Sequence, residues 1–265
     1  MSWLQALLIA LIQGITEFLP VSSSAHLILV PVLTGWQDQG VDFDVIVHAG
    51  SLVAIVAYFR NELNAIVRDW WQELRGGDRT SDSRLGWWVL VGTLPAATAG
   101  WLLKDFANGQ LRDPVLIAVG LIVFGIVLGI ADWKGRGTRD EYSLTLRDVL
   151  VIGFAQVLAL FPGTSRAGIT MTAALFVGLS RDAAARFSFL LSVPIIAAAT
   201  LLSTRDLVGR GAETEWGILL FGFVVSAAST YAMVHLFLSF IRRIGMQPFV
   251  IYRVALGVVL LAMFW

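Results

Sequence analysis

Long apolar stretches alternate with short polar ones along most of the 265-residue chain. Six of the apolar stretches are long enough to span a membrane, because about 20 apolar residues cross the hydrocarbon core of a bilayer. They are residues 43–59, 86–103, 114–131, 187–204, 216–241 and 248–264. The pattern predicts an all-α polytopic membrane protein, a single integral membrane domain over residues 1–265 with six full transmembrane helices.

Two further apolar stretches, residues 3–35 and 149–180, are interrupted by Pro20 and Pro162. Proline removes a backbone donor and stops a helix. Lysine and arginine concentrate in three loops, residues 60–85, 132–148 and 242–248. The positive-inside rule places these loops in the cytoplasm. With six spans crossing between the loops, each interrupted stretch must begin and end on one side of the membrane, so each is predicted to be a re-entrant helical hairpin.

Hairpin 3–35 then enters from outside and hairpin 149–180 from inside, with both termini periplasmic. The result is an inverted-topology repeat of ten helical segments, with repeat 1 over about residues 1–132 and repeat 2 over about residues 146–265. A trace of this repeat remains in the sequence, where FLPVSSSA (18–25) resembles LFPGTSRA (160–167). Inverted repeats with broken helices place a binding site where the repeats meet.

Composition agrees with a membrane protein, since 57% of the residues are hydrophobic and 14% are charged, against about half and a quarter in soluble domains. All ten tryptophans lie at or near the ends of apolar runs, as in an interfacial belt. The N-terminus lacks a basic region, so we expect no cleavable signal peptide. The absence of cysteine excludes disulfides and thiol catalysis. Zero net charge without a basic stripe argues against a nucleic-acid partner.

The first hairpin carries polar groups that an apolar core helix does not need. Gln13 and Glu17 are four residues apart, on one helical face. After the break at Pro20, Ser22 and Ser23 share a face with His26. A carboxylate at membrane depth is costly, and it is a functional hypothesis by default.

The second hairpin supplies groups suited to an anion. Gly163 allows close backbone approach, and Thr164 and Ser165 offer hydroxyls. Arg166 follows at the start of a new helix, whose N-terminal amides and dipole favour a phosphate.

Together the two hairpins predict cleavage of a phosphate or diphosphate in a membrane cavity, with a lipid phosphate as substrate. Glu17 and Gln13 offer oxygen atoms to a divalent cation. A serine or histidine attacks phosphorus and the other moves protons, while Arg166 stabilises the negative charge.

QGITEFLPVSSSAH (13–26) and FPGTSRAGIT (161–170) resemble the signature motifs of the bacterial undecaprenyl-diphosphatase family, also called the bacitracin-resistance proteins. The resemblance continues through FDVIVHAGSL (43–52) and ARFSFLLSVPIIAAAT (185–200). It implies hydrolysis of undecaprenyl diphosphate to undecaprenyl phosphate and inorganic phosphate, which recycles the lipid carrier of peptidoglycan and confers bacitracin resistance. It also implies a divalent cation, Mg²⁺ or Ca²⁺, and a site in the bacterial inner membrane that opens to the periplasm.

Carried over residue by residue, the resemblance assigns three sets of site residues. The catalytic candidates are Glu17, Ser23, His26 and Arg166. The substrate-binding candidates are Ser22, Gly163, Thr164, Ser165 and Thr170. The metal ligands are Glu17 and Gln13. Many family members have glutamate in place of Gln13 and serine in place of Ala167. The nucleophile, Ser23 or His26, stays open; the preferred assignment has Ser23 attacking, His26 as the base and Glu17 on the metal.

The remaining polar residues have less specific interpretations. His235 is expected to pack in its span with one hydrogen bond, and His48 either packs or lines the cavity near the hairpins. Arg253 is expected to snorkel to the cytoplasmic interface. An acidic cluster is expected to belong to a solvated loop: Glu62, Asp69, Glu73 and Asp78. Small residues in 120–129 would permit close helix packing in a homodimer.

A transporter or flippase for a lipid phosphate or an anion is the alternative, because inverted repeats and a polar site at the midplane are typical of transporters. A purely structural scaffold would leave Glu17, His26 and Arg166 without a purpose. The sequence leaves open the oligomeric state, the metal and the range of prenyl chain lengths.

Overall fold

A computed structural model describes residues 1–103, 113–135, 137–208 and 215–265, with residues 203–208 described by their backbone alone. Within these ranges the chain forms eleven α-helices, two short 3-10 helices and no strand. The α-helices are α1 Trp3–Thr16, α2 Ser23–Thr34, α3 Gly40–Tyr58, α4 Arg60–Leu74, α5 Ser81–Leu102, α6 Pro114–Lys134, α7 Leu146–Val157, α8 Arg166–Phe176, α9 Arg181–Val208, α10 Trp216–Ile244 and α11 Gln247–Phe264.

Six helices, α3, α5, α6, α9, α10 and α11, are long and apolar enough to cross a membrane. They coincide with the six predicted spans to within a few residues at each end, so the prediction of a multi-pass, all-α membrane protein is confirmed. In the apolar window of α11 only 17% of the residues are buried in the protein. Its outward apolar side chains are those of a helix that faces lipid.

The two interrupted stretches form pairs of shorter helices, α1 with α2 and α7 with α8. The longest of these, α1, has 14 residues. Because a helix rises about 1.5 Å per residue, it reaches about 21 Å, short of the roughly 30 Å of the hydrocarbon core. Re-entrant insertion of these pairs stays a prediction.

Each turn between the paired helices ends on a serine in an unusual backbone conformation. Ser22 has φ +73° and Ser165 has φ +68°, and these are the two non-glycine residues with positive φ in the described part of the chain. Each is the N-cap of the following helix. Such a conformation costs on the order of 1–3 kcal/mol and persists where the surroundings impose it.

These N-caps pair Ser22 with Ser165, whereas the sequence comparison pairs Ser23 with Ser165. The shift of one residue also brings Gln13 and Gln156 to equivalent positions. Helix α1 packs on α10, and α7 packs on α5, with small residues such as Gly14 and Gly153 at the two contacts. The first helix of each pair thus packs on a helix from the other half of the chain, which is the pattern that a repeat would produce. The inverted repeat itself stays a prediction.

The polar stretch 60–85, expected to be a solvated loop, instead contains the amphipathic helix α4. Ile66 and Asp69 are buried where α4 packs on α5. Its apolar residues recur at helical spacing, so one face packs on the protein while most of its charges stay outside. His235 makes its one expected hydrogen bond, at 3.4 Å from Tyr58, but it is exposed rather than packed.

Candidate active site

The turns of the two helix pairs meet at the carboxylate of Glu17, which is 8% exposed. Oε2 of Glu17 accepts hydrogen bonds from Nε2 of Gln13 at 3.0 Å and from Oγ of Ser23 at 2.7 Å. Oε1 accepts from Nη2 of Arg166 at 2.9 Å. Residues of both hairpins therefore converge on one buried carboxylate, as the sequence predicted.

Helix boundaries bring these side chains together. Gln13 lies one helical turn before Glu17, which caps the end of α1. Ser23 is the first residue of α2 and Arg166 the first residue of α8. A side chain at the first helical position projects near the helix end, where backbone N–H groups lack intrahelical partners. The site thus lies where two helix N-termini approach the end of α1.

Four buried polar atoms of the two hairpins lack a hydrogen-bond partner in the described part of the protein. They are Oε1 of Gln13, Oε1 of Gln156, Oγ1 of Thr164 and Nη1 of Arg166. Gln156 faces α5, where its Nε2 donates to the carbonyl of Gly92, and the other three lie near the turns. Buried polar atoms are nearly always paired, because leaving them unpaired costs free energy. The Thr164 hydroxyl and the Arg166 guanidinium can donate to a bound phosphate, and the Gln13 oxygen can bind the cation that accompanies it.

His26 is held by two neighbours. Its Nδ1 lies 2.7 Å from the carbonyl oxygen of Ser22, so Nδ1 must donate, and its Nε2 lies 2.6 Å from the hydroxyl of Tyr252. The rings of His26 and Tyr252 also stack, with centroids 5.7 Å apart. In this arrangement the Ser23 hydroxyl bonds to Glu17 and not to His26. The role of His26 as the base stays a prediction.

His48 lies on the other side of the carboxylate. Its Nε2 is 3.6 Å from Oε2 of Glu17, while its Nδ1 donates to the carbonyl of Asp44. His48 therefore belongs to the cavity, one of the two alternatives that the sequence left open.

The remaining predicted residues shape the turns around the site through a helix cap, a close backbone contact and a contact between hydroxyls. Oγ of Ser165 accepts from the amide of Gly168 and caps α8. Gly163 has φ +79° and packs its backbone against Ile117 of α6, where a side chain would clash. The hydroxyl of Ser22 contacts that of Ser24.

The Thr170 hydroxyl does not reach the site. It bonds to the carbonyl of Arg166 at 2.9 Å and to Oγ of Ser188 at 2.6 Å. Thr170 is 1% exposed, and these bonds use its hydroxyl in the packing of α8 on α9.

Arg253 does not snorkel to the cytoplasmic interface; that prediction was wrong. Its side chain is completely buried and donates to four backbone carbonyls, those of Pro20, Leu121, Gly163 and Thr164. Those carbonyls lie at the same depth as the arginine, so it needs no route to water. Arg253 and Tyr252 were the residues that sequence reasoning missed here, although an arginine in an apolar span is itself a functional signal.

A cavity of about 330 Å³ opens beside the carboxylate. Its lining comes from three helices: Arg166 of α8, Asp44, Val45 and His48 of α3, and Ile195, Ile196, Ala199 and Thr200 of α9. The cavity can hold a charged group beside the arginine while an attached apolar chain lies against α9.

Among the described residues no group of three or more His, Cys, Asp or Glu side chains could hold a metal ion. The oxygen donors at hand are the Glu17 carboxylate and the unpartnered Oε1 of Gln13, and the Asp44 carboxylate lines the adjoining cavity. Such a small set of protein oxygens fits Mg²⁺, which keeps several waters and binds substrate phosphates.

Comparison with known proteins gives a uniform result. The family model described as "Bacitracin resistance protein BacA" matches residues 6–259. The chain is 54% identical to "Undecaprenyl-diphosphatase 2" of Stutzerimonas stutzeri strain A1501, over 100% of this chain and 99% of that protein. It is 52% identical to the "Undecaprenyl-diphosphatase" of Hahella chejuensis, over 98% of each. The corresponding protein of Nitrosococcus oceani is 50% identical, over 100% of each.

Proposed function

Because the chain belongs to the BacA family of bacitracin resistance proteins, we propose that it hydrolyses undecaprenyl diphosphate to undecaprenyl phosphate and inorganic phosphate. Relatives that match it over nearly their whole lengths are named undecaprenyl-diphosphatase. In the cell this reaction recycles the lipid carrier for peptidoglycan and other cell-wall glycans, and it confers bacitracin resistance.

The observation that carries the proposal is the contact of Arg166 and Ser23 with one carboxylate, Glu17. A guanidinium with a buried, unpartnered Nη1 is ready to bind a phosphate. Three of the four residues that α9 contributes to the adjoining wall are apolar, as a prenyl chain requires. The charge of Arg166, the Ser23 hydroxyl bonded to Glu17 and the apolar side chains of α9 together match a lipid diphosphate.

In the reaction that this geometry supports, the terminal phosphate binds Arg166, which then releases Glu17. Oγ of Ser23 attacks the terminal phosphorus while its proton passes to Glu17. The bond from that phosphorus to the bridging oxygen breaks, and undecaprenyl phosphate leaves with the bridging oxygen. Water then attacks the phosphoserine, and the bond from phosphorus to Oγ of Ser23 breaks. Oγ takes back the proton held by Glu17, and the water's oxygen and protons leave with the inorganic phosphate.

Electrostatic stabilisation is the main catalytic task in phosphoryl transfer. Arg166 supplies a permanent charge at the start of α8, where the helix dipole adds to it. Glu17 and Oε1 of Gln13 would hold a divalent cation, Mg²⁺ or Ca²⁺, which when bound neutralises phosphate charge. His26, whose Nε2 contacts the hydroxyl of Tyr252, remains the alternative proton acceptor or nucleophile.

The positions of lysine and arginine support a site open to the periplasmic side of the inner membrane, with both termini periplasmic. A homodimer remains an expectation from the small residues in 120–129. The transporter or flippase alternative is not favoured, because the relatives are named for hydrolysis.

The test is phosphate release from undecaprenyl diphosphate by purified protein in detergent, with and without EDTA. Glu17→Ala and Arg166→Ala are compared with Arg243→Ala, which removes an exposed arginine of α10. We expect cation-dependent release that the first two variants abolish and the third retains. Folded wild-type protein that releases no phosphate would overturn the proposal.

A further inference from the structure

Arg253 is a buried cation that the proposed reaction does not use. Its side chain is 0% exposed in the middle of α11. None of its four acceptors is a carboxylate. Burying an arginine without a counter-ion is expensive, and at membrane depth it indicates function.

The four acceptors lie on three separate elements. Nη1 donates to Pro20 at 3.1 Å, in the turn between α1 and α2. Nη2 donates to Gly163 at 2.9 Å and Thr164 at 2.8 Å, in the turn between α7 and α8. Nε donates to Leu121 of α6 at 3.3 Å. One rigid guanidinium therefore joins both turns to each other and to α6.

The bound turns carry the proposed chemistry. Pro20 lies midway between Glu17 and Ser23, and Thr164 lies two residues before Arg166. One direct link between the turns is the Arg166–Glu17 pair, which a substrate phosphate that takes Arg166 would loosen. The hydrogen bonds of Arg253 go to backbone carbonyls, which the proposed reaction does not use.

We propose that Arg253 is a positioning residue: by binding both turns at once, it holds Ser23 and Glu17 in register with Arg166 during the reaction. The inference rests on the proposed hydrolysis. A guanidinium suits this task better than an ammonium, because its donors form a planar fork of fixed geometry. Reacting groups misplaced by about 1 Å can cost about 100-fold in rate.

The first experiment replaces the arginine. Arg253→Met keeps the apolar stem and Arg253→Lys keeps the charge, and Arg243→Met is the control at an exposed arginine. We expect Arg253→Met to lower kcat about 100-fold with KM within about threefold, and Arg253→Lys to recover only part of the loss. Folded Arg253 variants with wild-type kcat would overturn the proposal.

A second experiment keeps the arginine and moves it. A methyl group on Gly125 would lie 3.2 Å from Cβ of Arg253, and one on Gly129 would lie 3.2 Å from Cγ1 of Val250. Both glycines lie on α6 and face α11 at the same spacing, so Gly129→Ala is a matched control. We expect Gly125→Ala to lower kcat roughly threefold and Gly129→Ala to leave it unchanged. Equal effects of the two would contradict a role for Arg253, even where its own variants fail to fold.

A distance measurement separates this inference from the proposed function. The chain has no cysteine, so spin labels can be placed through Ser24→Cys and Phe161→Cys, at exposed positions beside the two turns. We expect the distance distribution between the labels to broaden in Arg253→Met and Gly125→Ala but not in Gly129→Ala. Unchanged distributions would overturn the inference, whereas wild-type protein without phosphatase activity would overturn only the proposed function.

Discussion

Arg166 donates a hydrogen bond to Glu17 at 2.9 Å across 149 positions of sequence. Neither residue can form this pair until the two helix pairs pack together. Since the same carboxylate also accepts from Ser23, folding and the assembly of the proposed site are one event.

Glu17→Gln keeps the size of the side chain and removes its charge. We expect kcat/KM for undecaprenyl diphosphate to fall about 10³-fold, because a neutral amide has one acceptor oxygen instead of two and cannot take the proton of Ser23. Glu62→Gln is the control, since Glu62 also pairs with an arginine, Arg186, away from the site. A variant within about threefold of wild type would show that the carboxylate is not needed.

Ser23 and Ser24 form a matched pair of neighbouring hydroxyls. Ser23 bonds to Glu17, whereas Ser24 is exposed and its hydroxyl contacts that of Ser22. We expect Ser23→Ala to lower kcat at least about 10³-fold and Ser24→Ala to keep most activity, measured as phosphate release. If Ser23→Ala remains active, His26 or water must be the attacking group.

Gln13 contributes a neutral oxygen to the proposed cation site. Gln13→Glu adds a second carboxylate, so we expect half-maximal activity at a lower Mg²⁺ concentration, and Gln13→Leu should require more Mg²⁺ than wild type. Titrating Mg²⁺ after EDTA treatment measures both shifts. Identical titration curves for the three proteins would place the cation elsewhere.

Ala199 lies on the apolar wall of the cavity and is exposed. A tryptophan there would fill the path proposed for the prenyl chain without touching the phosphate groups. We expect Ala199→Trp to raise KM for undecaprenyl diphosphate about tenfold or more and to leave KM for a short prenyl diphosphate nearly unchanged. An equal rise for both substrates would contradict this path.

Asp148 anchors the second helix pair outside the spans. Burial raises the pKa of its carboxyl, but hydrogen bonds from Arg139 at 2.7 Å and from Thr145 outweigh burial, so the pKa of Asp148 lies below its ordinary value. The stabilisation is therefore present above the unfolded pKa, about 4, and is lost as pH falls through the lower folded pKa.

We expect Asp148→Asn to destabilise the protein by about 1–3 kcal/mol at neutral pH. The difference in Tm from wild type should shrink on acidification below about pH 4. Thermal unfolding of both proteins across this range is the measurement. A difference in Tm that stays constant down to about pH 3 would contradict the assignment.

The sequence was sufficient for the spans because apolar length is a local property. Its proline breaks marked the two helix pairs, and the spacing of Gln13 and Glu17 identified one face of α1. The sequence interpretation does not predict helix α4, because charged residues are frequent in this stretch and the apolar face that includes Ile66 is short.

The partners of single side chains were harder to predict, because they depend on packing between distant segments. Helical spacing pairs Ser23 with His26, whereas the turn at Pro20 directs the Ser23 hydroxyl to Glu17. Likewise, no local pattern shows that the carbonyls of Gly163 and Thr164 lie beside Arg253.

The way Arg253 is bound has an evolutionary consequence. Its acceptors are carbonyl oxygens, which every amino acid carries, so a mutation at Pro20 or Thr164 changes a side chain without removing an acceptor. A mutation of Arg253 to a residue without donor groups removes all four bonds at once, and no second mutation in the turns can restore them. Descendants of this protein can therefore change the side chains at Pro20 and Thr164 more readily than they can replace the arginine.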